Sequence, residues 1–179
     1  HAAQGGFTRQ GFHAYWAARG YTRDYPGIRG FGYMERVADA ELDAYLQRQR
    51  SQHGPGFHIP QRGPYPQHYI VTLVEPMDRM GSTLGLDLSR EPVRYAAARA
   101  AVRSGRTVLT SVITLVQDEE RGPGFILLLP LYAGGRVPEA VAEREARHIG
   151  FVYSPIVARE LIASTLPTTG NELVYTLYA

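Results

Sequence analysis

The chain has 179 residues, 44% of them hydrophobic and 20% charged, which suits one domain of ordinary core size or two small ones and excludes general disorder. Its 19 basic residues are all Arg, and it holds neither Lys nor Cys; Schiff-base amines, P-loop lysines, thiolate nucleophiles, disulfides and most zinc sites are thereby excluded. The net charge of +2 is spread among 17 acids with no basic stripe, so a nucleic-acid footprint is missing too.

The first residues, His1 to Gly6, lack an apolar core and read as tag or linker, not as a signal peptide. Over residues 8–19, Phe12, Tyr15, Trp16 and Ala18 fall near one face of a short amphipathic helix. Tyr25-Pro-Gly27 breaks the chain, and Ile28 to Met34 reads as a strand in which Gly30 and Gly32 permit close backbone approach. Asp39 is an N-cap candidate for a helix over 40–52, with acids early, Arg48 and Arg50 late, and Gly54 as its stop. Gly54 to Pro66 is too rich in Pro and Gly to hold a regular element. Tyr69 to Val74 reads as an apolar strand closed by Glu75-Pro76.

Ser89 is a candidate cap for a helix over 91–104 with a small-residue face at Val93, Ala96, Ala97, Ala100 and Ala101, ended by Gly105 at C′. Thr107 to Val116 and Gly124 to Tyr132 are strand signals joined by the turn 118–123, a link short enough to require an antiparallel hairpin. Gly134 to His148 reads as irregular, followed by a strand at Phe151 to Tyr153, a helix over 155–164 and an alternating strand at Glu172 to Tyr178. The longest apolar stretch, Phe125 to Ala133, is interrupted by Pro130 and falls far short of the roughly 20 residues of a membrane span.

The ordered words Tyr69-Ile-Val-Thr-Leu-Val-Glu-Pro76, Gly85-Leu-Asp-Leu88, Gly105-Arg-Thr-Val-Leu-Thr-Ser111, Ile113-Thr-Leu-Val-Gln117, Gly122-Pro-Gly-Phe125 and Pro130-Leu-Tyr132 resemble the CHASE domain. Tyr25-Pro-Gly-Ile-Arg-Gly-Phe-Gly-Tyr33 and Gly150-Phe-Val-Tyr-Ser-Pro155 extend the resemblance to about residues 12–165. It implies an α+β fold: the end of a long stalk helix (1–24), a membrane-distal PAS-like ligand-binding subdomain (25–148) and the start of a smaller membrane-proximal subdomain (149–179). It further implies the periplasmic or extracellular sensor of an inner-membrane receptor, a histidine kinase or diguanylate cyclase. Such a receptor is a homodimer anchored by segments outside this chain.

Plant members of the family, similar over the same segments, bind cytokinins, which are N6-substituted adenines. The aspartate that grips adenine there falls on Asp87, and the strand leucine whose backbone completes the pairing falls on Leu109. A carboxylate accepting N–H bonds beside a strand backbone suits that task. The expected apolar lining is Val71, Leu73, Val108, Thr110, Phe125 and Leu127 on strands, with Met80 and Leu86 on the loop above; the inward strand face stays open. The Pro-rich segment 54–66 and Glu75-Pro76 look like the bacterial branch.

Neither a cofactor nor a metal is expected, since His53, His58 and His68 fit no ligand spacing. Gly30-Phe-Gly32 lacks the third glycine of a dinucleotide loop. Glu75 with Ser82 or Ser89 suggests a hydrolase, yet no motif puts a His beside them. Against the sensor stands a ligand-free dimerisation spacer, and the size of the cavity beside Asp87 discriminates the two.

Overall fold

A computed structural model describes residues 8–18, 27–115 and 123–165. The fold is α+β. Along the chain run α1 (Arg9–Ala17), β1 (Phe31–Ala38), α2 (Leu42–His53), β2 (Gln67–Glu75), α3 (Met77–Met80), α4 (Pro92–Ser104), β3 (Val108–Leu109), β4 (Ile113–Thr114), β5 (Pro123–Tyr132), α5 (Val141–Arg147), β6 (His148–Val157) and α6 (Ala158–Thr165). The six strands form one antiparallel sheet in the order β2-β1-β6-β5-β3, with β4 also on β5.

Alternation along β5 shows how the faces are used. Ile126, Leu128 and Tyr132 are buried, whereas Phe125, Leu127 and Leu131 are only half-buried and Leu129 is exposed, the period of two expected of a strand. The buried parity packs with Met34, Val71, Phe151 and Tyr153 beneath Ala97, Ala98, Ala101 and Val102 of α4. The opposite face is covered locally: α2 packs Leu42 and Tyr45 on Val37 and Ile70, and Phe12 of α1 packs on Tyr33 and Leu73.

Several boundaries differ from expectation for identifiable reasons. The first strand lies at 31–38, not 28–34; Ile28 makes only an isolated bridge to Ile156. Glu35 and Arg36 disguise the strand, and both charges are compensated at its margins, Glu35 by Arg48 and Arg36 by Gln67 and the carbonyls of Glu145 and His148. Asp39 is not an N-cap. It opens a 3₁₀ turn (Asp39–Glu41), Glu41 accepts from the Ala38 N–H, and the Asp39 carboxylate is drawn to His68 instead.

Ser89 does not cap α4 either. Pro92 occupies the first helical position and holds Glu91 extended at φ −109°, ψ 118°, so the Glu91 carboxylate accepts from the N–H groups of Val93 and Arg94. Gly105 ends the helix at φ 69°, as expected.

The single strand expected over 107–116 is broken into β3 and β4. Between them Thr110 turns its hydroxyl to the N–H of Ile126. Residues 134–148 are not wholly irregular, since α5 forms without a side-chain cap, held by Arg144 donating to the carbonyls of Pro138, Glu139 and Arg103. Pro155 does not open a helix; it lies inside β6, and α6 starts three residues later. The boundary expected at 148/149 coincides with the start of β6, which lies between β1 and β5 in the sheet. The break at Tyr25, the turn over 118–122 and the strand at Glu172 to Tyr178 lie outside the described residues.

Candidate ligand site

Two concavities stand out among the described residues. The larger, about 710 Å³, is an open cleft between α1 and the end of β2. Two of its polar groups pair, His13 Nδ1 lying 2.9 Å from Glu75 Oε1, and its Trp16 packs edge-on against Phe31. The smaller, about 30 Å³, lies inside the core between the buried sheet face, the 83–88 segment and the first turn of α4. The smaller one is the stronger candidate, because two of its buried polar atoms, Tyr153 Oη and Arg94 Nε, have no hydrogen-bond partner.

The local sequence builds that cavity in a specific way. The 85–87 segment adds itself to the edge of β2, with Gly85 N–H donating to Val71 O and Val71 N–H to Leu86 O, both at 2.9 Å. Leu86 and Leu88 thereby turn over Val71 and Met34. On the opposite wall Tyr153 of β6 stands across from Gly32 of β1. A Cβ on Gly32 would sit 2.1 Å from the Tyr153 ring, so only glycine lets the ring lie flat on β1.

Tyr153 is 2% exposed and its hydroxyl has no hydrogen-bond partner. Burial raises its pKa, with the neighbouring Thr83 hydroxyl opposing, so it is a neutral donor; Thr83 Oγ itself donates to Met80 O at 2.6 Å and makes no well-formed bond to the tyrosine. Arg94 reaches the same cavity from α4; its Nη2 donates to Thr114 O at 3.0 Å, while its Nε is buried without a partner. Burial lowers the Arg94 pKa, with Glu91 opposing that effect.

Asp87 also borders the cavity, but its carboxylate faces inward to the protein. Oδ1 accepts from Tyr69 N–H (3.2 Å), Ser89 N–H (2.9 Å) and Ser89 Oγ (2.7 Å); Oδ2 accepts from Gly63 N–H (2.9 Å) and His68 Nδ1 (2.7 Å). Four lone pairs thus meet five donors. His68, 1% exposed, donates its other nitrogen to Asp39 Oδ1 at 2.7 Å. Burial alone would lower the His68 pKa, yet the hydrogen bonds and charges of Asp39 and Asp87 raise it, favouring the charged form.

Ser89, His68 and Asp87 superficially assemble a hydrolytic set that sequence spacing did not reveal. The geometry is wrong for it. Ser89 Oγ donates to Asp87 and not to the histidine, which lies 3.4 Å away and already donates to Asp87, and Ser89 is fully buried. Glu75 meets His13 on the far side of β2. No group of three His, Asp or Glu side chains among the described residues is arranged to hold a metal.

Of the residues expected at the site, Val71, Leu86 and Asp87 line the cavity, and Met80 and Val108 belong to the same apolar cluster. Thr110 is buried beside Ile126 through paired backbone and hydroxyl bonds. Leu73 packs against α1, Phe125 and Leu127 have the outward parity of β5, and Leu109 is 51% exposed on an edge strand opposite Leu127. The residues that sequence reasoning missed are Met34, Thr83, Leu88, Arg94, Leu115, Ile126 and Tyr153. Ile126 differs from the expected pair only in parity. Arg94 carries no signal beyond an ordinary helix charge.

No curated protein matches this sequence. The CHASE domain family matches residues 5–179. CHASE domains are extracellular sensory domains of membrane receptors, a role that is sensory and not catalytic. Among the described residues no helix is long and apolar enough to cross a membrane. By this match across nearly its whole length, the chain belongs to the CHASE domain family.

Proposed function

We propose that this domain is the periplasmic sensor of a bacterial inner-membrane receptor, a histidine kinase or diguanylate cyclase, and that a small molecule held in the cavity beside Tyr153 regulates the cytoplasmic output. In this reading residues 25–148 act as the membrane-distal PAS-like unit. The carrying observation is a buried, largely apolar cavity whose polar wall holds a hydroxyl with no partner. Buried polar groups are normally satisfied, and exceptions concentrate where something else binds.

A route for the signal follows from β1. Gly32 supports the Tyr153 ring on one face, and the next residue, Tyr33, packs with Phe12 of α1 on the other. A ligand that displaces Tyr153 therefore pushes on the strand that seats α1. A differential affinity worth about 1–3 kcal/mol between two arrangements is enough to bias an output.

The adenine suggested by the plant resemblance would have to take Asp87 from five internal donors, so Asp87 serves better as the anchor of the 85–89 segment than as a ligand hook. One observation favours the second reading, a ligand-free dimerisation spacer: the cavity measures only about 30 Å³, well below the range of about 300–1,000 Å³ common for drug-sized ligands. Native mass spectrometry of the freshly purified domain, followed by thermal shift with N6-isopentenyladenine and a panel of small metabolites, tests the proposal. A stoichiometric adduct or a saturable stabilisation supports sensing, and the absence of both supports the spacer.

A further inference from the structure

The polar wall of the cavity states what it lacks. Tyr153 Oη–H and Arg94 Nε–H are two buried donors with no acceptor in hydrogen-bond geometry, and both line the same space; the Thr83 hydroxyl beside Tyr153 is committed as a donor to Met80 O and makes no well-formed bond to the tyrosine. The nearest acid cannot serve them. Glu91 Oε2 is 3.7 Å from Arg94 Nε, outside hydrogen-bond range, and the Glu91 carboxylate already caps α4 through Val93 and Arg94 N–H. Asp87, in the same wall, has all its acceptor sites taken. The unmet demand is for an acceptor, next to a guanidinium whose charge favours an anion.

Size narrows the candidates. A water needs about 10–15 Å³ of such space, so about 30 Å³ admits two or three heavy atoms, the size of one carboxylate group. Apart from Thr83, whose hydroxyl donates to Met80 O, the remaining lining of Met34, Val71, Leu86, Leu88, Leu115 and Ile126 is apolar, which suits a hydrogen or a very short alkyl chain. We propose that the cavity is a binding site for a short-chain monocarboxylate, whose carboxylate accepts from Tyr153 Oη and Arg94 Nε. This inference rests on the sensor reading and specifies its ligand class. An N6-substituted adenine, neutral and several times larger, does not meet either requirement.

The test is thermal shift and isothermal titration of the domain with sodium formate, acetate and propionate at constant ionic strength, against sodium chloride and the neutral isostere acetamide. Saturable stabilisation by at least one acid, beyond that by chloride and acetamide, is expected. Tyr153→Phe removes a hydroxyl that makes no well-formed hydrogen bond, so it should fold as well as the parent and bind the acid at least tenfold more weakly. Arg94→Gln should weaken binding at least as much, and Arg94→Lys, which keeps the charge but not the Nε–H, should recover part of it. Acids that stabilise no better than chloride, or a Tyr153→Phe variant that binds undiminished, overturn the inference. Binding of isopentenyladenine or another neutral molecule with no response to the acids overturns it while leaving the sensor reading standing. Failure of every small molecule, added or co-purified, overturns both.

Discussion

Replacing Asp87 by Ala separates a structural anchor from a ligand hook. The substitution leaves the N–H groups of Gly63, Tyr69 and Ser89 without their acceptor and removes one of the two carboxylates around His68. Each orphaned buried N–H costs about 1–3 kcal/mol, and breaking a buried ion pair costs roughly 3–5 kcal/mol. Even with water rescuing part of this, the loss should be at least about 4 kcal/mol, a large share of the roughly 5–15 kcal/mol that holds a domain together. Asp87→Asn keeps one carbonyl acceptor and the side-chain shape but loses the charge, so it should fall between the two. Urea denaturation followed by circular dichroism gives the three stabilities from their midpoints and slopes. A well-folded Asp87→Ala variant, within about 1 kcal/mol of the parent, would refute the anchor and return Asp87 to the surface of a ligand site.

Two histidines give opposite pH dependences. His148 is 3% exposed, and burial, reinforced by the charge of Arg36, lowers its pKa to about 3. The folded state therefore resists protonation that the unfolded chain accepts near pH 6.5, and stability present above that pH is lost as it falls toward 3, up to roughly 5 kcal/mol. His148→Gln should flatten that acid limb in denaturation curves taken at successive pH values, and an unchanged limb contradicts the assignment. His68 is raised, so its contribution is full below about pH 6.5 and disappears as the pH rises through its folded value; His68→Gln should abolish this loss on the neutral-to-alkaline side and lower stability at pH 6. Gly32→Ala places a Cβ 2.1 Å from the Tyr153 ring, so the ring must move at a cost of about 1–3 kcal/mol, read as a lower melting temperature, and a variant melting with the parent would show that the ring does not depend on Gly32.

What could be read from the residues alone follows from where the physics is local. The helix over 92–104 is legible because its alanine face, its Pro92 start and its Gly105 stop all lie within a few residues of one another. Even its cap was implicit, since a residue preceding proline is held extended and Glu91 therefore stands where a cap must. The strand at 31–38 is hidden because Glu35 and Arg36 find their partners on α2, β2 and the α5–β6 junction, all distant in sequence. Pro155 points to a helix start by local preference, yet the pairing of β6 with β1 and β5 carries the strand through it.

The site was legible only where it follows the chain. Val71, Leu86 and Asp87 meet because the 85–87 segment pairs with β2, close in sequence and marked by Gly85. Tyr153 and Arg94 are neighbours for a different reason. β6 must first insert between β1 and β5, which brings Tyr153 across from Gly32 and under the first turn of α4. Strand parity adds a second layer of concealment, because Phe125-Ile-Leu127 is apolar at every position and only the closed sheet shows that Ile126 faces inward. Gly32 was the one residue that hinted at the arrangement. A glycine inside a strand signals that something comes close, and what comes close is the ring bearing the unpartnered hydroxyl on which the ligand proposal turns.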